Sequence, residues 1–188
     1  MFIQTEQTPN PQTLKFLPGK VIMEEGTAFY ENIDEAGNSP FARRLFSLDG
    51  VKGVFFGSDF ITITKSDEYE WQVLKPSVLG GIIDHFNSDD KTVEKEVVQD
   101  TKNNLENTEG DTDIVKQIKE LLDTRVRPAV AMDGGDIIYN DFKDGVVFLK
   151  MQGACSGCPS STATLKMGIE NMLKHYIPEV QEVRPVDA

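Results

Sequence analysis

Gly153-Ala154-Cys155-Ser156-Gly157-Cys158-Pro159-Ser160-Ser161 holds the only two cysteines of this 188-residue chain. Ahead of it, Val146 to Met151 reads as a strand. Behind it, Ser160 or Ser161 caps a helix with Leu165, Ile169, Met172, Leu173 and Tyr176 on one face. The cysteines therefore lie between a strand end and a helix start. A helix N-terminus presents free N–H groups and the positive end of the macrodipole, which favours thiolates. Gly153 and Gly157 keep the loop free of side-chain bulk, and Pro159 stiffens its exit. The loop itself contains no acid, as suits a site that holds negative charge.

Working outward, Ile137 to Phe142 pairs with Val146 to Met151 as a hairpin around Lys143-Asp144-Gly145. Asp133-Gly134-Gly135-Asp136 is a turn whose acids cap it. A helix precedes it, capped by Asp111-Thr112-Asp113, with Ile114, Ile118, Leu121 and Leu122 on one stripe; Pro128 kinks or ends it. Pro178 stops the last helix, and Val180 to Val186 is a final strand.

Residues 89–111 stand apart, with eight acids against three lysines and few apolar side chains. That composition predicts a solvated, flexible acidic linker. Residues 1–88 repeat the plan on the other side. Phe2-Ile3 and Leu14-Lys15-Phe16 read as short strands around the turn Thr8-Pro9-Asn10-Pro11. Ser39-Pro40 starts a helix carrying Phe41, Leu45 and Leu48, and Gly50 ends it. Val51 to Phe56 and Phe60 to Lys65 form a hairpin, and a second helix starts near Pro76. The prediction is an α+β protein: two small α+β domains, 1–88 and 112–188, each a short sheet packed with two helices.

The net charge of −12 is unlike the basic face of a nucleic-acid binder. No apolar run has the roughly 18 residues of a membrane span. Met1-Phe2-Ile3-Gln4-Thr5-Glu6 lacks the basic start and apolar stretch of a signal peptide, so a reducing compartment is expected, where a disulfide staple is not.

Two thiolates three positions apart grip one metal centre or close one disulfide; they are half of a four-thiolate site. A thioredoxin-like dithiol oxidoreductase is one reading of this spacing, but too little chain follows Cys158 for the strands that fold requires. A pair of inert thiols is a second, which the spacing and the glycine setting disfavour, and a shared metal site is the third. His175 lies nearly four helical turns beyond Ser161, about 21 Å at 1.5 Å per residue, so it cannot complete the site. His85 is expected at the surface. Two chains, each giving Cys155 and Cys158, supply four sulfurs across a dimer axis. Sulfur coordination alone leaves a 4Fe-4S cubane and a zinc-bridged dimer both open. A centre shared in this way is open to competing cysteines, which suits release to another protein.

Leu121-Leu122-Asp123-Thr124-Arg125-Val126-Arg127-Pro128, Asp133-Gly134-Gly135-Asp136 and Met151 to Ser161 strongly resemble the NifU C-terminal domain. Phe2-Ile3-Gln4-Thr5, Thr8-Pro9-Asn10-Pro11, Leu14-Lys15-Phe16, Gly50 to Phe56 and Asp59-Phe60-Ile61-Thr62 resemble the Nfu N-terminal domain. The resemblance covers all but the linker, in the domain order of mitochondrial and α-proteobacterial Nfu scaffolds. It implies a non-enzymatic carrier of a 4Fe-4S cluster, with 2Fe-2S forms in transit, bridged by two chains through Cys155 and Cys158. It implies delivery to apo iron–sulfur proteins of the lipoyl synthase or aconitase type, an upstream cluster donor, and partner contact through the N-terminal domain. It also implies a cytoplasmic location for a bacterial form and the mitochondrial matrix for a processed eukaryotic one.

Other residues have plainer expectations. Arg125 and Arg127 neutralise the last carbonyls of their helix, and Arg43-Arg44 form a solvated face. Trp71 and Tyr69 pack on a sheet, and Met151, Met167 and Met172 fill the core. Serine at Cys155 or Cys158 should remove cluster binding and leave both domains folded, since neither thiol is expected to fill a core.

Overall fold

The computed structural model describes residues 2–88, 90–93, 112–157 and 159–186, the side chains of 159–161 excepted. The chain divides into two compact units, Met1–Val98 and Gln99–Ala188. The dividing point falls in the predicted linker, of which 89 and 94–111 lie outside the described residues.

In the first unit β1 (Gln4–Gln7), β2 (Thr13–Leu17), β3 (Ala28–Tyr30), β4 (Val51–Phe56) and β5 (Ile61–Lys65) form an antiparallel sheet of order β1-β2-β5-β4-β3. Asn10 builds the first turn: its side-chain oxygen accepts from Gln12 N at 3.0 Å and its carbonyl from Thr13 N at 3.0 Å. Helix α1 (Pro40–Phe46) has the predicted cap, Ser39 Oγ accepting from Ala42 N at 3.0 Å. Helix α2 (Trp71–Asn87) starts five residues before Pro76, which sits inside it. Leu74 is buried and Trp71 packs on the core, its ring 6.5 Å from that of Phe16. That anchoring outweighs the single hydrogen bond the proline forgoes so near the helix start.

His85 also departs from expectation. It is 3 % exposed, and its ring stacks on Phe41 at 3.7 Å between centroids, with Phe41 stacked in turn on Phe56 at 5.1 Å. An aromatic ring at the α1–α2 contact buries as hydrophobic surface. Residues 90–93 cover it. Arg44 pairs with Asp90 at 3.0 Å, Ser39 Oγ donates to the Thr92 carbonyl, and Thr92 Oγ1 lies 3.4 Å from His85 Nε2. Burial, followed by the charge of Arg44, lowers the His85 pKa from 6.5; Asp90 opposes that shift.

In the second unit α3 (Asp113–Leu121) is capped by Thr112. A π turn over Leu122–Val126 carries it into α4 (Arg127–Met132). Pro128 has no N–H for the carbonyl one turn back. The chain widens there, Arg127 N bonding to Leu122 O, and the helix continues. Strands β6 (Gly135–Lys143) and β7 (Val146–Gly153) form the predicted hairpin, slightly longer than expected. Helix α5 (Pro159–Tyr176) then crosses over to β8 (Glu182–Val186), which pairs parallel to β7. Ile118, Leu122, Val130, Ile137, Leu149, Ile169, Leu173 and Val183 make the core. Met151 joins it and Met172 packs against it, but Met167 is 65 % exposed. Met167 lies two positions from buried Ile169, about 200° round the helix.

Candidate metal centre

Strand β7 ends on Gly153, whose φ of +63° is left-handed, and Gly157 repeats this at +75°. The two glycines thus have a backbone role in the loop beyond their lack of bulk. Ala154 N donates to Gly134 O at 3.1 Å, which pins the loop to the start of β6. Ser156 N closes a turn on Gly153 O at 3.1 Å, and Thr162 Oγ1 of α5 donates to the Cys155 carbonyl at 3.2 Å. Cys155 is therefore braced from both neighbouring elements. Cys158 lies outside the described residues, so one of the two predicted ligands is placed.

Cys155 is a free thiol, 5 % exposed, and it belongs to the apolar core of its unit. This corrects the expectation that neither sulfur fills a core. Its pKa is pushed up to about 12, first by burial and then by the charges of Asp133 and Asp136. The loop carries no acid, yet the fold brings two beside it from the α4–β6 connection. Isolated Cys155 is thus held as a thiol, contrary to the thiolate expected at a helix start.

Asp136 reaches beyond its own turn. It is buried and takes both arms of Arg127, Nε at 2.9 Å and Nη2 at 2.8 Å, while accepting from Ile137 N at 2.8 Å. Arg127 Nη1 also reaches Asp123 at 3.1 Å. These bonds, that to Asp136 foremost, raise the arginine pKa against the opposing effect of burial. Arg127 therefore does not neutralise helix carbonyls, and neither does Arg125, whose guanidinium lies 5.0 Å from the centre of the Tyr176 ring. The Arg127–Asp136 pair is the element sequence reasoning missed. Its only trace is opposite charges on the two sides of a glycine turn. His175 is exposed, at the far end of α5. Among the described residues, no three His, Cys, Asp or Glu side chains gather into a metal site.

Residues 3–89 match the family model "Scaffold protein Nfu/NifU N terminal", and residues 118–184 match "NifU-like domain". The chain is 52 % identical over 187 residues to the human "NFU1 iron-sulfur cluster scaffold homolog, mitochondrial", covering 99 % of this chain and 72 % of that protein. It is 51 % identical over 185 residues to "NifU-like protein 4, mitochondrial" of Arabidopsis thaliana, covering 97 % of this chain and 65 % of that one. A solution structure of a NifU-like protein from Saccharomyces cerevisiae aligns with 51 % of this chain and 87 % of its own, at 27 % identity and a TM-score of 0.46.

Proposed function

The chain belongs to the Nfu/NifU iron–sulfur scaffold family, and from that premise we propose that it carries a 4Fe-4S cluster between two copies of itself. Cys155 and Cys158 of each copy are the ligands. The cluster is cargo: it is received from an upstream donor and passed to apo iron–sulfur proteins, of the lipoyl synthase or aconitase type. Forms with 2Fe-2S belong to transit. The chain performs no chemical turnover. A bacterial form acts in the cytoplasm and a processed eukaryotic form in the mitochondrial matrix, in keeping with the mitochondrial names of its relatives.

The observation that carries this reading is the pairing of the chain's sole two cysteines in a loop braced by its neighbours. Two sulfurs per chain are half a coordination sphere, and among the described residues no three His, Cys, Asp or Glu side chains gather at Cys155. Gaining a cluster means that Cys155 gives up its proton. Burial first, and then Asp133 and Asp136, oppose that step. A ligand whose thiol form is favoured is readily reprotonated when the copies part, which suits handing the cluster on. The first unit has no cysteine and serves as the partner-contact module.

The dithiol alternative fares poorly. An oxidoreductase nucleophile needs a lowered pKa and access to substrate, whereas Cys155 is buried with its pKa raised. Anaerobic reconstitution with iron and sulfide tests the proposal. Broad visible absorption on a dimeric species supports it. Colourless protein with stoichiometric zinc would favour the zinc-bridged dimer, and catalytic disulfide reduction by the apo-protein would favour the oxidoreductase.

A further inference from the structure

Strands β6 and β7 face each other at the loop through a glycine pair, Gly135 opposite Gly153. Gly153 is left-handed, and so is Gly134 at φ +84°. Gly135 is not among the left-handed glycines, so its backbone conformation is open to any residue. Some reason other than φ must favour glycine here.

The reason is the space it leaves. A Cβ at Gly135 would stand 2.6 Å from Cys155 Sγ, 2.7 Å from Gln152 O and 3.0 Å from Cys155 N. Real Cβ contacts do not come this close. Two of these three atoms are backbone, one near the end of β7 and one in the loop, and the loop is pinned by Ala154 N to Gly134 O. The sulfur thus sits in the volume a side chain would otherwise fill.

We propose that Gly135 is the positioning residue for Cys155: the hydrogen in place of its side chain is the seat that holds Sγ inside the core edge. The functional meaning rests on the reading of Cys155 as a cluster ligand; the seat itself does not. Any side chain at 135 pushes the thiol and its turn outward. It would expose the thiol before any cluster arrives and shift the ligand from the place the loop prepares.

The test uses the full chain without iron, in a Cys158→Ser background where Cys155 is the sole thiol. Its iodoacetamide alkylation rate is compared between native and urea-unfolded protein. The parent should react at least about tenfold more slowly when native, and Gly135→Ala should remove most of that protection. Gly168→Ala is the control, because a Cβ there has no neighbour within 4 Å. Unchanged protection in folded Gly135→Ala protein overturns the proposal. Should Gly135→Ala fail to fold, the same substitution is made beside Cys155→Ala. Recovery of folding once the sulfur is gone supports the seat; a parent whose Cys155 reacts as fast native as unfolded overturns it whether or not the double variant folds, since the backbone contacts at Gln152 O and Cys155 N remain. No arm depends on cluster binding, so this proposal and the scaffold reading fail separately.

Discussion

Replacing Arg127 with methionine strips the partner from a buried carboxylate. Asp136 is 5 % exposed at its side chain and loses two bonds of 2.8 and 2.9 Å, while keeping the one from Ile137 N. Removing one partner of a buried pair costs about 3–5 kcal/mol. The Arg127 side chain is itself 25 % exposed, so water reaches the site and the lower end, about 3 kcal/mol, applies. The lost contact with Asp123, which is more exposed, adds little. For a unit of this size about 3 kcal/mol lowers the midpoint by roughly 12–24 °C. Far-UV circular dichroism of the full chain reads both units and Trp71, the sole tryptophan, reads the first alone, so a dichroism transition that Trp71 does not share belongs to the second. The Trp71 transition should stay where it is. Adding Asp136→Asn removes the stranded charge, so the double variant should regain half or more of the loss. A double variant less stable than Arg127→Met, or a single variant within about 1 kcal/mol of the parent, would refute the ion-pair argument.

Burial depresses the His85 pKa in the folded state, so the folded protein binds its proton less readily than the unfolded chain. Stability from this group is complete above pH 6.5 and is lost as pH falls through the folded value. The midpoint followed by Trp71 should therefore drop on acidification below pH 6.5, and His85→Phe should flatten that slope. Ser39→Ala removes the α1 cap and the bond to Thr92 O, and should cost about 1–2 kcal/mol in urea unfolding read by Trp71. Gly168→Ala, within α5 and with open space at its Cβ, should raise the second unit's stability by up to about 1 kcal/mol in urea unfolding read by circular dichroism.

The architecture around the loop was legible because its signals agree. The short apolar run Val146 to Met151 gives way to helical spacing after Pro159, with glycine and proline as punctuation between. The start of α2 was not legible, since Glu70 makes no side-chain cap and Pro76 offers the stronger local cue. Burial of Leu74 and the packing of half-buried Trp71 on the core, a tertiary effect, decide it. His85 and Cys155 share one kind of error. Each is a chemically active side chain assigned to surface or loop, and each is used by the fold as packing. Arg127 and Asp136 lie nine positions apart, outside any helical or strand period, so only the folded turn joins them. In the sequence Gly134-Gly135 reads as one turn, although only Gly134 has the left-handed backbone.

Iron and sulfide content measured on anaerobically purified protein, together with its mass in solution, bears most directly on the shared-cluster claim. The account predicts one cluster for each pair of chains, absent when Cys155 or Cys158 becomes serine. A cluster bound to a single chain, or iron retained by either serine variant, would contradict it.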